Sequence, residues 1–409
     1  MASLPSGDPA PLDGSLPNSV LVGEAERTFH AYLHIPFCRV RCGYCDFNTY
    51  TSSELRGVTQ NTFLEDLHRE IELSKSVIAS AGLAKRKFSS IFFGGGTPTQ
   101  LEAKQLAATL GILADSFGIA AGAEITTEAN PDNVDLAYFE TLAAAGFTRV
   151  SLGMQSAVPQ VLAVLDRTHN PENVNRAVRA AKQAGLQTSV DLIYGTPGES
   201  IAQWRESLEV AISLDVDHIS AYSLIVEPGT KLAQQIKNGK VAEPDEDEQA
   251  DKYELADELL SGGGFEWYEV SNWSKSAATR STHNLAYWRS NDWWGYGPGA
   301  HSHIGGTRWW NVKHPATYSE RIEGGNSPAL AREILDDHTR NVERILLELR
   351  ISDGLNIETV KSLNENSAKP ISQFIADGLV DARTALDGRL VLTLKGRLLA
   401  DSLVRQLIG

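Results

Sequence analysis

The stretch Ala31-Tyr-Leu-His-Ile35-Pro-Phe-Cys38-Arg-Val-Arg-Cys42-Gly-Tyr-Cys45 joins a strand-like run to all three cysteines of a 409-residue chain. Three is odd and too few for a disulfide framework, which fits a reducing compartment. Thiols at i, i+4 and i+7 do not close a tetrahedral zinc site alone, since structural zinc takes four protein ligands; a histidine or carboxylate elsewhere would have to supply the fourth. A redox pair would use C-x-x-C and leave one cysteine over. Soft thiolates also suit an iron–sulfur cluster in which three cysteines hold three irons and the last iron stays open to an exogenous ligand.

Outward from this stretch, short apolar or β-branched runs alternate with helix-period segments. Strands are predicted at Ala31–Ile35, Ser89–Phe93, Ala123–Glu128, Arg149–Gly153, Thr188–Tyr194 and His218–Val226. Helices are predicted at Asn61–Ser80, Glu102–Ser116, Val134–Ala145, Glu172–Ala184 and Ile201–Leu214, with Gly146 and Gly185 placed as C-caps. Six strands with five helical crossovers imply a parallel sheet with right-handed connections. Six units fall short of a closed eight-stranded barrel. The fold class is therefore α/β, an open, partial (β/α)6 TIM-like barrel.

The unusual residues follow the strands. The cysteine cluster follows the first, Gly94-Gly-Gly96-Thr97-Pro98 the second, Glu128-Ala-Asn130-Pro131 closes the third, Gln155-Ser156 the fourth, and Tyr194-Gly195-Thr196-Pro197 the fifth. Glycine and proline often do no more than punctuate turns. Five clusters at strand C-terminal ends point instead to the face where parallel α/β sheets place active sites. The glycine turn would let backbone groups approach a small molecule closely.

Composition bounds the rest. The chain is 42% hydrophobic and 22% charged, and its length fits two or three domains. Its net charge of -15 opposes nucleic acid as a general partner. No apolar run approaches the roughly 18 residues of a membrane span. Residues 1–27 are rich in Pro, Ser, Gly and Asp and read as a flexible tail, neither secretory signal nor mitochondrial presequence, so a cytoplasmic protein is expected. Residues 28–240 would form the barrel, 241–335 a connecting region, and 336–409 a mainly helical, winged-helix-like cap. The acidic run Glu243–Glu248 is expected to open a helix, its carboxylates complementing the dipole.

Cys-x3-Cys-x2-Cys at the first strand with Gly-Gly-Gly-Thr-Pro at the second resembles the radical S-adenosylmethionine (SAM) enzymes. His34-Ile-Pro-Phe-Cys38 and Tyr44-Cys45-Asp-Phe narrow the resemblance to coproporphyrinogen III dehydrogenases and HemW-type haem chaperones, and it runs from about Tyr32 to the C-terminus. The resemblance implies that Cys38, Cys42 and Cys45 ligate a [4Fe-4S] cluster whose open iron is chelated by SAM. A reduced cluster then cleaves SAM to methionine and a deoxyadenosyl radical. Matched by position, Tyr32, Tyr44, Gly95, Gly96, Thr97, Glu128, Gln155, Arg167 and Asp191 would contact SAM. A carboxylate suits ribose hydroxyls, and Arg167 suits a carboxylate through its fork of donors.

Two departures choose within the group. The dehydrogenases carry another cysteine two residues after the third, where this chain has Phe47. His283-Asn-Leu-Ala-Tyr287-Trp288 is similar to the His-Asn-x-x-Tyr-Trp signature of the chaperones. The expected function is binding of haem and its transfer to an acceptor protein, with coproporphyrinogen III dehydrogenation as the alternative. Axial haem ligands are usually His, Cys, Met or Tyr. The cysteines are committed and the methionines are only Met1 and Met154, so His283 leads, followed by His301 and His303. Seven of eight tryptophans fall between Trp267 and Trp310, suited to a flat macrocycle or to packing the barrel against its cap. Implied partners are haem, its acceptor and an electron donor, with peripheral membrane contact if the acceptor is a membrane protein.

Overall fold

A computed structural model describes residues 7–83 and 86–409. The six predicted strands form β1 (Phe29–Ile35), β2 (Phe88–Gly95), β3 (Ile119–Ala129), β4 (Arg149–Gln155), β5 (Gln187–Tyr194) and β6 (His218–Ser223). They lie side by side in sequence order, all parallel. Helices α1 (Gln60–Ser80), α2 (Ala103–Phe117), α3 (Leu136–Ala145), α4 (Pro159–Val164), α5 (Pro171–Gln183) and α6 (Ile201–Ser213) make the crossovers. Their ends follow local chemistry: the Asp135 side chain accepts from Tyr138 N, Ser200 and Gln203 form a reciprocal box, and Gly146 closes α3 at φ 105°.

Residue alternation fixes which face is which. Parallel strands covered on both faces read as continuous apolar runs. Here Val150, Leu152 and Met154 of β4 are buried in the helix-side core, while Arg149, Ser151, Gly153 and Gln155 face a cavity inside the curved sheet. Strand β5 repeats the pattern with Val190 and Leu192 in the core and Ser189 and Asp191 inward. Successive side chains point to opposite faces, so the barrel has an apolar outside and a polar inside.

Residues 241–335 are more than a connection. They supply β7 (Glu266–Glu269) and β8 (Asn272–Ser274), which extend the sheet antiparallel beyond β6. They also supply β9 (Asp292–Tyr296), β10 (His301–Ile304), β11 (Thr307–Asn311) and β12 (Ala329–Ile334). Strand β9 adds parallel to β1, and β10 to β12 continue antiparallel. The acidic run opens the helix Glu246–Gly262, whose N-cap Asp245 accepts from Glu248 N.

The expected flexible tail is packed from Gly7 onward; Met1–Ser6 lie outside the described residues. Asp8 and Pro9 pair with Arg332 and Ala331 at the sheet edge, and Val20 is fully buried. Arg27 Nε donates to Asp292 at 2.9 Å, Arg86 joins the same carboxylate, and Gly305 N donates to it at 2.8 Å. Single anchors hold this segment, so no periodicity marks it.

The C-terminal region has its own core, including Ile345, Leu349, Leu355, Phe374, Leu403 and Leu407. Its wing is short: Leu355–Asn356 pairs with Arg389–Leu390, and the chain then enters the helix Leu394–Leu398. Arg397 ties it to the barrel, with both terminal nitrogens 2.9 Å from the Asp257 carboxylate and its guanidinium over the Trp267 ring.

Asp292→Ala leaves two buried guanidiniums without their carboxylate. The expected loss in urea unfolding is roughly 3–5 kcal/mol. A loss under about 1 kcal/mol, the scale of an exposed ion pair, would contradict this anchoring.

Candidate functional site

The three cysteines stand on the loop after β1, and the backbone fixes that loop at both legs. Cys38 N donates to Tyr50 O at 3.1 Å and Tyr50 N to Pro36 O at 2.8 Å. The turn after β2 then clamps it: Gly96 N donates to Ile35 O and Thr97 N to Phe37 O, each at 2.8 Å. This contact explains the glycines. A Cβ on Gly95 would sit 2.7 Å from the His34 ring, and one on Gly96 would sit 2.6 Å from Phe37 O. The bare faces press on the loop itself. A third clamp, unmarked in the sequence, lies at Gly43: its N–H donates to Leu165 O, its carbonyl accepts from Leu232 N, and a Cβ would meet Asp166 Oδ2 at 2.3 Å.

One cavity of ≈ 590 Å³ collects Cys38, Cys42 and Cys45 with Tyr44, Gly95, Gly96, Thr97, Glu128, Gln155, Arg167 and Asp191. Thr97 Oγ1 lies 3.9 Å from Cys38 Sγ, and Arg167 Nη1 lies 3.7 Å from Cys42 Sγ. Gly95 N donates to Glu128 Oε2 at 3.1 Å, and Ser151 Oγ donates to both Asp191 oxygens at 2.9 and 3.1 Å. Gln155 takes φ 61°, a left-handed conformation uncommon outside glycine, at the bulge where β4 turns its end into the cavity.

The donor set fits an iron–sulfur cluster. All three thiols are free and partly accessible on one wall. Burial, opposed by the Thr97 hydrogen bond, raises the Cys38 thiol, and burial pushes Cys45 up to about 11 with Cys42 and Cys38 adding to it. Arg167 stands beside the Cys42 sulfur, and three thiolates held together would be stabilised by the positive charge of a metal group.

Burial is also the first cause of the raised carboxyls. Glu128 is pushed up to about 8, with Asp191 adding repulsion and Gly95 N opposing it. Asp191 is raised by burial against hydrogen bonds from Ser220 and Ser151. Without a ligand, Glu128 is mostly protonated at neutral pH.

Tyr32 does not line the cavity. Its hydroxyl is hydrogen-bonded to His34 Nδ1 at 3.0 Å, and its ring stacks on Phe92, which does line it. His283 also lies apart from the predicted site residues that line the cavity. It is buried against Phe92 at 5.0 Å, outside the cavity lining, with Nδ1 hydrogen-bonded to Ser90 Oγ at 2.8 Å and Nε2 to Tyr287 OH at 2.9 Å. Neither nitrogen is open to iron. His303 is likewise occupied by Asn291 O and Gly306 N. The helix Thr282–Trp288 is a plug in the barrel floor: Glu124 accepts from Thr282 N and His283 N, and Arg149 lies 3.6 Å from the same carboxylate. The Tyr194–Pro197 turn packs away from the cavity, Gly195 lying against Gln249. Missed polar lining residues include Arg149, Ser151, Ser220 and His169. For Arg149, Ser151 and Ser220 the signal was the alternation of β4 and β6; His169, on the loop between α4 and α5, had none.

Barrel and cysteine loop together define a radical SAM protein, and residues 32–211 match the family described as the Radical SAM superfamily. Over 382 residues the chain is 47% identical to heme chaperone HemW of Mycobacterium tuberculosis, spanning 93% of this chain and 95% of that one. Heme chaperone HemW of Bacillus subtilis is 31% identical over 389 residues, spanning 93% and 99%. The chain belongs to the HemW family. A solved structure, coproporphyrinogen III oxidase from Escherichia coli, matches its fold with a TM-score of 0.79 over 96% of this chain and 92% of that chain, at 23% identity.

The raised Glu128 pKa sets a pH test on ligand-free protein. The unfolded carboxyl ionises near 4.5 and the folded one near 8, so between them the folded state binds the extra proton. Stability therefore falls as pH rises through that window, by up to about 1.4 kcal/mol per unit for one group. Glu70, Glu199 and Glu269, each pushed up to about 7 by burial, add to the slope. Glu128→Gln should flatten the decline of melting temperature between pH 5 and 8; an unchanged slope would contradict the assignment.

Proposed function

We propose that this protein binds haem and passes it to an acceptor protein, and that it carries a [4Fe-4S] cluster on Cys38, Cys42 and Cys45 with exchangeable SAM beside it. The observation that carries the reading is the 47% identity, over nearly the whole of both chains, to a protein named for haem chaperoning. Phe47 supports it. Where the dehydrogenases carry a further thiol, this chain exposes an aromatic ring, 60% accessible, at the cavity's rim.

Glu128 and Asp191 are the proposed partners of the ribose hydroxyls, and Gly95, Gly96 and Thr97 of the methionyl amino group. Arg167 and Gln155 would complete the polar contacts, with Tyr44 on the cysteine loop. Tyr32 would act indirectly, supporting Phe92 and holding His34. The cluster would supply one-electron chemistry when bound; the chain's part is to fix the loop, present hydrogen-bond partners and keep the Glu128 carboxyl protonated until a ligand arrives. An electron donor reaching the cysteine loop is part of the proposal. Among the described residues no helix is long and apolar enough to cross a membrane. A cytoplasmic location is proposed, with contact to a membrane arising only through the acceptor.

The alternative, oxidative decarboxylation of coproporphyrinogen III, is separated by assay. Anaerobic protein with a reconstituted cluster, SAM and reductant should bind haem stoichiometrically and release it to an apo-haem protein, leaving coproporphyrinogen III unconverted. Steady formation of protoporphyrinogen would overturn the chaperone reading.

A further inference from the structure

We propose that His169 is a ligand-contacting residue of the cavity and pairs with a ribose hydroxyl of SAM. This rests on the SAM-binding reading above and adds a residue to which no motif pointed. Six histidines are buried among the described residues. His30, His34, His218, His283 and His303 have both ring nitrogens hydrogen-bonded. His169 is the exception. It is 5% exposed and lines the cavity, and neither Nδ1 nor Nε2 meets a hydrogen-bond partner within the protein. A histidine that serves only the core finds partners, because buried polar groups left without them cost stability.

The loop that carries His169 is fixed on both sides of it. Arg167 N donates to Leu162 O at 2.9 Å, and Arg167 Nη2 to Gly153 O at 2.9 Å. Asp132 accepts from Asn170 N at 3.3 Å and from Asn173 Nδ2 at 2.9 Å. The ring is thus held in place with its nitrogens unspent. Burial, then the Arg167 charge, hold it down at about 4 against the Asp132 carboxylate and the Met154 carbonyl, so it is neutral at neutral pH. A neutral imidazole offers one N–H and one lone pair. Its neighbours select among the polar groups of SAM. The Arg167 charge disfavours an ammonium beside the ring, and the Asp132 charge disfavours a carboxylate. The adenine base suits the apolar lining at Ile193, Leu224 and Ile225. A hydroxyl both donates and accepts, so it fits either tautomer. Placement points the same way. Strand β4 lies between β3 and β5. Glu128 and Asp191, the proposed ribose partners, stand on those two strands, near enough for the Asp191 charge to raise Glu128. A ribose between them would lie over the end of β4, where His169 stands beside the Met154 carbonyl.

The test is anaerobic equilibrium binding of SAM, and of its 2′-deoxy and 3′-deoxy analogues, to the full-length protein carrying its cluster. His169→Phe keeps a ring in the same space and removes both nitrogens. It should bind SAM about five- to tenfold more weakly, the scale of one hydrogen bond, with cluster iron and sulfide at wild-type levels. The analogue lacking the contacted hydroxyl should bind wild type and variant equally, while the other analogue should repeat the variant's loss. His169→Gln keeps a donor and an acceptor and should recover part of the affinity. Ligand-free His169→Phe should melt no lower than wild type, since it gives up no hydrogen bond. Unchanged SAM affinity in His169→Phe, equal losses for all three ligands, or a lowered melting temperature with loss of cluster iron would overturn the assignment. Wild-type protein that holds its cluster and binds no SAM would instead overturn the SAM reading, and this contact with it.

Discussion

The structure depends on one constraint: the cysteine loop is held by backbone hydrogen bonds at points where no side chain fits. Gly96 and Thr97 clamp its first leg, Tyr50 closes its second, and Gly43 seats its tip on the turn at Leu165. Unmade buried backbone bonds are costly, and a Cβ at these positions would break them. The backbone that carries the three cysteines therefore has a defined course. The glycine turn, read from sequence as clearance for a small molecule, is first of all clearance for the loop.

A second constraint follows from the sheet. Its outer face is closed by helices and its inner face is mostly polar along β4, β5 and β6, with Ile193 the apolar exception on β5. Polar groups out of water must find partners. At the open end they are left facing the cavity, where burial raises both Glu128 and Asp191 above the usual carboxylate range. At the floor they are satisfied by the helix Thr282–Trp288 through Glu124 and Arg149. The His-Asn-x-x-Tyr-Trp motif thus closes the barrel, and its histidine belongs to a buried chain running through Ser90 to His30.

Much of this was legible in the sequence. Strand and helix periods placed all six barrel strands and five of their helices to within four residues at each end, and the cysteine spacing pointed to the candidate site. What escaped was set by pairing between distant segments. Nothing local in Asp292–Tyr296 says that it will lie parallel beside Phe29–Ile35, since edge choice is decided by what remains unpaired after the barrel forms. Nothing in Gly7–Arg27 announces that Asp292 will hold it. His283 is ambiguous in the sequence for a related reason: a histidine among aromatic residues reads alike as ligand or as core, and nothing local shows that Ser90 and Tyr287 sit against its ring nitrogens. Gly43 escaped because its necessity lies in Asp166, distant in sequence.

On the proposed function, three sulfur donors would leave one metal corner free for the methionyl end of SAM. Mössbauer spectroscopy of anaerobically reconstituted, iron-57-enriched protein tests it most directly. The prediction is four irons per chain in a cubane, with one quarter of the absorption shifting on addition of SAM and the remainder unmoved. A spectrum identical with and without SAM, at concentrations where binding is independently measured, would contradict it.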